Sequence, residues 1–211
     1  MSVRLLLIRH ARSTWNAEGR LQGIADPPLD AVGLEQANRL ADRLKEQPIA
    51  AIYSSPLQRA RSTAEIIGQK FPVAPLTFDD RLMEYNIGVL TGLTWADIAI
   101  KHPDFAARWS EDAWGAPIPE SEGQVLFRAR VMAVMHEISL QHVDQVVAVV
   151  SHGGTFGAYL AASLGLDANR RDPFHFGNTS LSIVDLDGEL IKIVALNDAH
   201  HLRGLPQISL I

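Results

Sequence analysis

Two histidines and two arginines are placed where this chain could do chemistry. Arg9-His10 closes the apolar run Leu5-Leu6-Leu7-Ile8, and His152 follows the run Gln145 to Val150 after a single serine. Arg59 comes just after Ser54-Ser55-Pro56, a serine and proline pairing typical of a helix start. An imidazole beside guanidinium groups makes an anion site with a potential nucleophile in it. Guanidinium binds phosphate oxygens bidentately, so a phosphate dianion is the natural guest if the four residues converge. Spacing alone leaves convergence open. Zinc is the other use for two histidines, and it fits poorly: the arginines would repel the cation, and no third ligand stands at a typical spacing. Gly153 and Gly154 after His152 permit close backbone approach and free amides. Arg61 also lies near the helix start, but a surface role suits it better.

Those residues need strands and helices to carry them. A short apolar run bounded by polar residues reads as a strand buried on both faces, and ligands gather beyond the carboxyl ends of such strands. Three runs qualify: 5–8, 50–54 and 145–150. The polar stretch from Ser13 to Asp30 is too long for a simple turn and is rich in hydrogen-bonding groups, including Asn16 and Gln22. Asp30 is expected to cap a helix reaching about Gln47, with Leu34, Ala37, Leu40, Ala41 and Leu44 on its apolar face. A second helix follows Pro56, and residues 71–78 lead into a short extended segment. Glu84 lies between apolar neighbours, where a solvated loop residue is the ordinary expectation. Residues 94–119 hold Trp95, Trp109 and Trp114 and two short helical patterns. This segment is expected to be a helical insertion covering the site as a lid, or an aromatic satellite core. Glu120-Ser121 should open a long helix to about Gln141, with Val125, Phe127, Val131, Val134, Met135 and Ile138 as its apolar positions. A further helix spans Phe156 to Leu164. Two strands, 181–185 and 190–196, form a hairpin around Asp187-Gly188. The tail carries His200 and His201, expected to be exposed. The pattern predicts an α/β fold: a three-layer α/β/α sandwich whose mostly parallel sheet has an antiparallel edge strand. The hairpin edge offers a place for a homodimer contact, which no sequence feature requires.

Composition bounds the function. With 47% apolar and 20% charged residues, the chain can build a core as one domain over 1–211. A net charge of -5 gives no support for nucleic-acid binding. No cysteine is present, which excludes disulfides and thiolate chemistry and fits a cytoplasmic protein. No stretch is apolar enough to cross a membrane, and no signal peptide is expected.

The motifs Leu7-Ile8-Arg9-His10-Ala11-Arg12-Ser13-Thr14-Trp15-Asn16, Leu21-Gln22-Gly23, Tyr53 to Ala60 (with Ser54-Ser55-Pro56 and Arg59), Leu82-Met83-Glu84 and Val150-Ser151-His152-Gly153-Gly154 resemble those of the histidine phosphatase superfamily, which includes the phosphoglycerate mutases. The resemblance spans nearly the whole chain in order. Glu120-Ser121 and Asn178 also match the phosphatase branch. Ala11 and Pro119 depart from the commonest glycines, the second within the expected lid.

The resemblance implies that His10 is the nucleophile and becomes phosphorylated, with Arg9, Arg59 and His152 binding the phosphoryl oxygens. It implies that Asn16 and Gln22 donate neutral hydrogen bonds, with Ser13, Gly23, Gly153 and Tyr85 completing the substrate-contacting set. Glu84 becomes the candidate general acid, its protonated form favoured by a bound phosphate. The implied activity is a metal-independent phosphomonoesterase of the histidine acid phosphatase type, without cofactor, acting on a small phosphate ester. A cofactor-dependent phosphoglycerate mutase is the alternative; the mutases of this family are longer, which favours hydrolysis here. A non-catalytic phospholigand-binding module is the second alternative.

Overall fold

The computed structural model describes residues 2–111, 117–167, 173–188 and 190–205. Six strands among them form one sheet: β1 (Ser2–Arg9), β2 (Ile49–Ser54), β3 (Leu76–Phe78), β4 (Val146–Ser151), β5 (Leu181–Asp187) and β6 (Leu190–Asp198). Their spatial order is β3-β2-β4-β1-β5-β6. The first four positions run parallel, and β5 runs antiparallel to both of its neighbours. The sheet is therefore mostly parallel, and its one reversed strand is the inner arm of the closing hairpin. The helices are α1 (Thr14–Ala17), α2 (Ala31–Leu44), α3 (Gln58–Gly68), α4 (Trp95–Lys101), α5 (Pro103–Glu111), α6 (Gln124–Gln141) and α7 (Gly153–Ser163).

The unbroken apolar run of β1 has a direct cause. Leu5 and Leu7 pack with Phe127 and Val131 of α6 and Phe156 of α7. Leu6 and Ile8 pack on the opposite side with Leu40 and Leu44 of α2 and Ala60, Ala64 and Ile67 of α3. Side chains alternate along a strand, so a strand covered on both faces must be apolar at every position. The three-layer expectation holds.

Two helices differ from their expected form. In α2, Leu34 is 46% exposed, and the inward place beside the stripe is taken by Gly33. A Cβ at Gly33 would lie 2.0 Å from the Arg12 carbonyl oxygen, so the helix start sits directly on the loop after β1. Asp30 ties the two together: it accepts from the Gly33 amide at 2.7 Å and pairs with Arg12 at 2.7 Å. The long helix α6 begins at Gln124, not at Glu120. Glu120 and Gly123 have φ of 62° and 78°, left-handed values that break a helix. The 119–122 backbone instead bonds to 86–89, through Val89 N–H to Pro119 O at 3.2 Å and Glu122 N–H to Asn86 O at 3.3 Å. Val125, on the first turn, is exposed, and the buried face of α6 starts at Phe127.

The two short helices of the 94–119 segment are α4 and α5; residues 112–116, including Trp114, lie outside the described residues. Thr94 and Asp97 form a capping box at the start of α4. Ile98 and Phe105 pack with Leu90, Leu21, Ile87 and Trp109 as a small separate cluster, so an aromatic satellite core is present. No helix among the described residues is long and apolar enough to cross a membrane.

The contact at Gly33 yields a stability prediction. Gly33→Ala forces α2 away from the Arg12 carbonyl and lowers the melting temperature. Gly68→Ala, where a new Cβ meets only an ordinary 3.9 Å contact with Ile52, is neutral or stabilising by about 0.5–1 kcal/mol. Parallel thermal melts of the two variants check this.

Candidate active site

Neighbouring strands bring the two histidines together. β1 and β4 lie side by side with Arg9 opposite Ser151, so both chains leave the sheet level with each other. The His10 amide donates to the Ser151 carbonyl at 2.9 Å, and the His10 and His152 ring centroids are 5.1 Å apart. β2 lies on the other side of β4, and Ser55 just beyond it places its Oγ 2.8 Å from His152 Nε2. Arg59, in the first turn of α3, is 1% exposed. In front of these groups is a cavity of ≈ 560 Å³, lined by Arg9, His10, Asn16, Gln22, Arg59 and Glu84 with several neighbours.

The hydrogen bonds decide which atoms are left for a ligand. His10 Nδ1 is 2.8 Å from the Ala11 carbonyl. A carbonyl only accepts, so the ring proton sits on Nδ1 and the Nε2 lone pair is free. Burial first, then the charges of Arg59 and Arg9, push the His10 pKa well below the usual 6.5. His152 is shifted the same way, by burial and then by Arg59, His10 and Arg9. Both rings are therefore neutral at physiological pH. Arg59 gives Nη1 to Ala25 O at 2.6 Å and Nη2 to Gly23 O at 2.8 Å. Arg9 gives Nη1 to Phe176 O. The Nε atoms of both arginines, and Nδ1 of His152, are buried with no protein partner. Burial lowers the Arg59 pKa to about 10 and lowers that of Arg9, while the Glu84 charge favours both cations. Both stay positive at neutral pH.

Neutral groups are held in a chain behind this cluster. Ser13 caps α1; its N–H donates to Asn16 Oδ1 at 3.1 Å and its Oγ to Gln22 Oε1 at 2.8 Å. Asn178 Nδ2 donates to the His10 carbonyl at 3.0 Å and to Asn16 Oδ1 at 3.3 Å. With their oxygens engaged, the amide NH2 groups of Asn16 and Gln22 are the ends available to the cavity. Thr179 has φ 53°, an unusual left-handed conformation for a β-branched residue, and its N–H donates to Arg9 O at 3.0 Å. His201 is half-buried, contrary to expectation: it lies 3.2 Å from Thr179 Oγ1 and 3.2 Å from Arg43 Nη1. It supports the turn from behind and does not line the cavity. His200 is exposed.

Glu84 enters from the far side. Its Oε1 accepts from the Tyr85 N–H at 2.9 Å and its Oε2 from the Gly154 N–H at 3.0 Å. A Cβ on Gly154 would stand 2.4 Å from that carboxylate, which is why glycine is needed there. The Gly154 N–H is therefore not a free amide: it serves Glu84. A Cβ on Gly153 would meet Arg9 Nε at 3.7 Å, an ordinary contact, and Gly153 is absent from the cavity wall.

Arg9, His10, Asn16, Gln22, Gly23, Arg59, Glu84 and Tyr85 thus share one cavity wall, with His152 directly behind His10 and Ser13 buried behind Asn16. The sequence motifs do not point to Glu18 and Arg20, which line the cavity, or to Arg130 on α6. Arg130 donates to the carbonyls of Arg81, Met83 and Glu84 at 2.7–3.0 Å. A signal for it existed: Arg130 falls at i+3 from Phe127 and i−4 from Val134, a charge on the buried face of its helix. Among the described residues no group of three or more His, Asp or Glu is arranged to hold a metal ion.

Comparison with known proteins agrees with this geometry. The family model described as "Histidine phosphatase superfamily (branch 1)" matches residues 5–199. The chain belongs to this superfamily. Among curated relatives, Phosphoserine phosphatase 1 of Hydrogenobacter thermophilus is 34% identical over 95% of this chain and 94% of its own length. Probable phosphoglycerate mutase GpmB of Yersinia pestis is 33% identical over 87% of this chain and 85% of its own. Among solved structures, Bacillus stearothermophilus YhfR superposes with a TM-score of 0.88 at 29% identity, covering 95% of this chain and 100% of that one. A histidine phosphatase with two neutral buried imidazoles has a defined acid sensitivity. Unfolded, His10 and His152 take up protons near pH 6.5; folded, they do so only well below it. The unfolded state therefore binds more protons below pH 6.5, and stability falls as pH falls through that value. Thermal melts should be insensitive to these groups above pH 7 and drop progressively from pH 6.5 to 5. A melting temperature level down to pH 5 would contradict the neutral assignment.

Proposed function

We propose that this chain is a phosphoric monoester hydrolase that acts on a small phosphorylated metabolite through phosphohistidine on His10, without a metal ion. The observation that carries the reading is one cavity shared by His10, whose Nε2 lone pair is free, and by Arg9 and Arg59, each with a buried Nε that has no protein partner, with His152 and its unpartnered Nδ1 packed against the His10 ring. Those donors suit the equatorial oxygens of a phosphoryl group, where charge stabilisation is most of the catalysis. His10 Nε2 attacks phosphorus; the ester P–O bond breaks as the N–P bond forms, and Glu84, a carboxylate in the free site that takes up a proton as the phosphate ester binds, gives that proton to the leaving oxygen. Water then attacks phosphorus, gives a proton to Glu84 and releases His10 with inorganic phosphate. The amides of Asn16 and Gln22 add neutral donors. This reading places the enzyme in branch 1 and replaces the histidine acid phosphatase type expected from sequence. We read α4 and α5 as a cover over the leaving-group side, with Trp95 lining the cavity.

The mutase reading stays as the alternative because a relative bearing that name matches almost as well. A mutase must shield its phosphoenzyme from water. Here Glu18 and Trp95, both exposed, line the cavity that holds His10, which favours hydrolysis.

Wild-type enzyme should release inorganic phosphate from phosphoserine or an aryl phosphate with chelator present, and His10→Ala should not. Phosphoglycerate interconversion after priming with a bisphosphate, without phosphate release, would favour the mutase; neither activity would leave a binding module. Glu84→Gln should cost about 100- to 10,000-fold in kcat/KM for an alkyl phosphate, read by the same assay.

A further inference from the structure

Glu84 stands on a segment without regular structure, beyond the 3-10 turn Asp80–Leu82, yet a proton donor must be placed to within a fraction of an ångström. Its position comes from α6. Arg130 Nη1 donates to Arg81 O at 2.9 Å and to Met83 O at 2.7 Å, and Nη2 donates to Glu84 O at 3.0 Å. From the other side Ser151 Oγ donates to Leu82 O at 2.7 Å and Thr155 Oγ1 to Met83 O at 3.1 Å. Every carbonyl from 81 to 84 is thereby held, and Arg130 reaches those at both ends.

The guanidinium is itself fixed. Glu122 grips it bidentately, Nε to Oε2 at 2.8 Å and Nη2 to Oε1 at 2.7 Å. Glu122 Oε1 also accepts from the Asn86 N–H at 2.8 Å, just past Glu84. The Phe127 ring lies 4.8 Å beneath the guanidinium. A rigid fork of this kind suits several fixed acceptors in a way that lysine does not.

We propose that Arg130, held by Glu122, is a positioning residue for proton delivery: it fixes the backbone of Glu84 so that the carboxyl meets the leaving-group oxygen. This rests on Glu84 being the general acid. Arg130 lies outside the cavity wall, so it touches no substrate; its charge also bears on His152, an effect that falls on every phosphate ester alike and leaves the dependence on the leaving group to Glu84. A misplacement of about 1 Å costs on the order of 100-fold in a reaction that depends on alignment.

Leaving-group dependence separates this role from a purely structural one. An alkyl phosphate such as phosphoserine needs its leaving oxygen protonated; 2,4-dinitrophenyl phosphate does not. The quantity to compare is kcat/KM, because it covers only the steps up to phosphorylation of His10. Arg130→Met should lower kcat/KM for phosphoserine by roughly 100-fold while raising the ratio of dinitrophenyl phosphate to phosphoserine by a similar factor. Equal losses on both esters, or no loss on phosphoserine, would overturn the proposal. Should Arg130→Met fail to fold, Glu122→Gln loosens the same fork and should raise the ratio in the same direction by a smaller factor; an unchanged ratio overturns the proposal. Glu84→Gln measured alongside distinguishes the two levels. If its losses are equal on both esters, the general-acid reading fails. If its ratio rises and that of the Arg130 variant does not, only the positioning role fails.

Discussion

The site depends on two parallel strands ending level. With Arg9 opposite Ser151, the next residue of each chain is a histidine, and the rings meet at 5.1 Å. A slip of one residue in that register would send every side chain of β1 to the opposite face. Leu5 and Leu7 would trade places with Leu6 and Ile8, between cores of different shape. The packing that gives the protein its stability is therefore also what aligns its chemistry. Few residues at the site are free to move without disturbing the core.

That alignment gathers like charge. Arg9 and Arg59 are buried near each other, and each lowers the pKa of both histidines. Carbonyls of Gly23, Ala25 and Phe176 satisfy some of the guanidinium N–H groups, and the negative charge of Glu84 favours both cations. Three buried donors or acceptors still lack partners, at about 1–3 kcal/mol each for a buried polar atom left unsatisfied. Such a cluster is poorly explained by stability and well explained by an anion. Burial first, and then the same field, keeps both imidazoles neutral, so the charge that suits an anion also favours the unprotonated ring of His10, the proposed nucleophile.

Much of this was legible in the sequence, and the reason is local. Strand runs ending in Arg-His and Ser-His are short-range signals, and they located Arg9, His10 and His152. The sheet layers followed from which strands were apolar throughout. What the sequence hid were side chains whose role depends on a distant backbone. Gly154 reads only as a glycine that permits close backbone approach, yet what it makes room for is Glu84, 70 residues earlier in the chain. Arg130 shows in the sequence only as a charge on the buried face of its helix, and what it serves, the carbonyls of 81, 83 and 84, belongs to a distant segment. The start of α6 was misplaced because Glu120 has helical propensity, while the 86–89 backbone draws it into a left-handed turn. His201 looked like a tail residue because its contacts, Thr179 and Arg43, lie on other elements.

The place of β1 in the sheet also bears on how the molecule is made. It precedes the other five described strands in the chain, yet its two neighbours are β4 and β5. Leu5, Leu6, Leu7 and Ile8 must therefore emerge from the ribosome and wait, unpaired, until residues from Val146 onward have followed. Meanwhile β2 can pair with β3 and cover one side with α3. His10 is thus made well before the strands that complete its surroundings. Pairing of β1 is the long-range, slow event expected of a high-contact-order sheet.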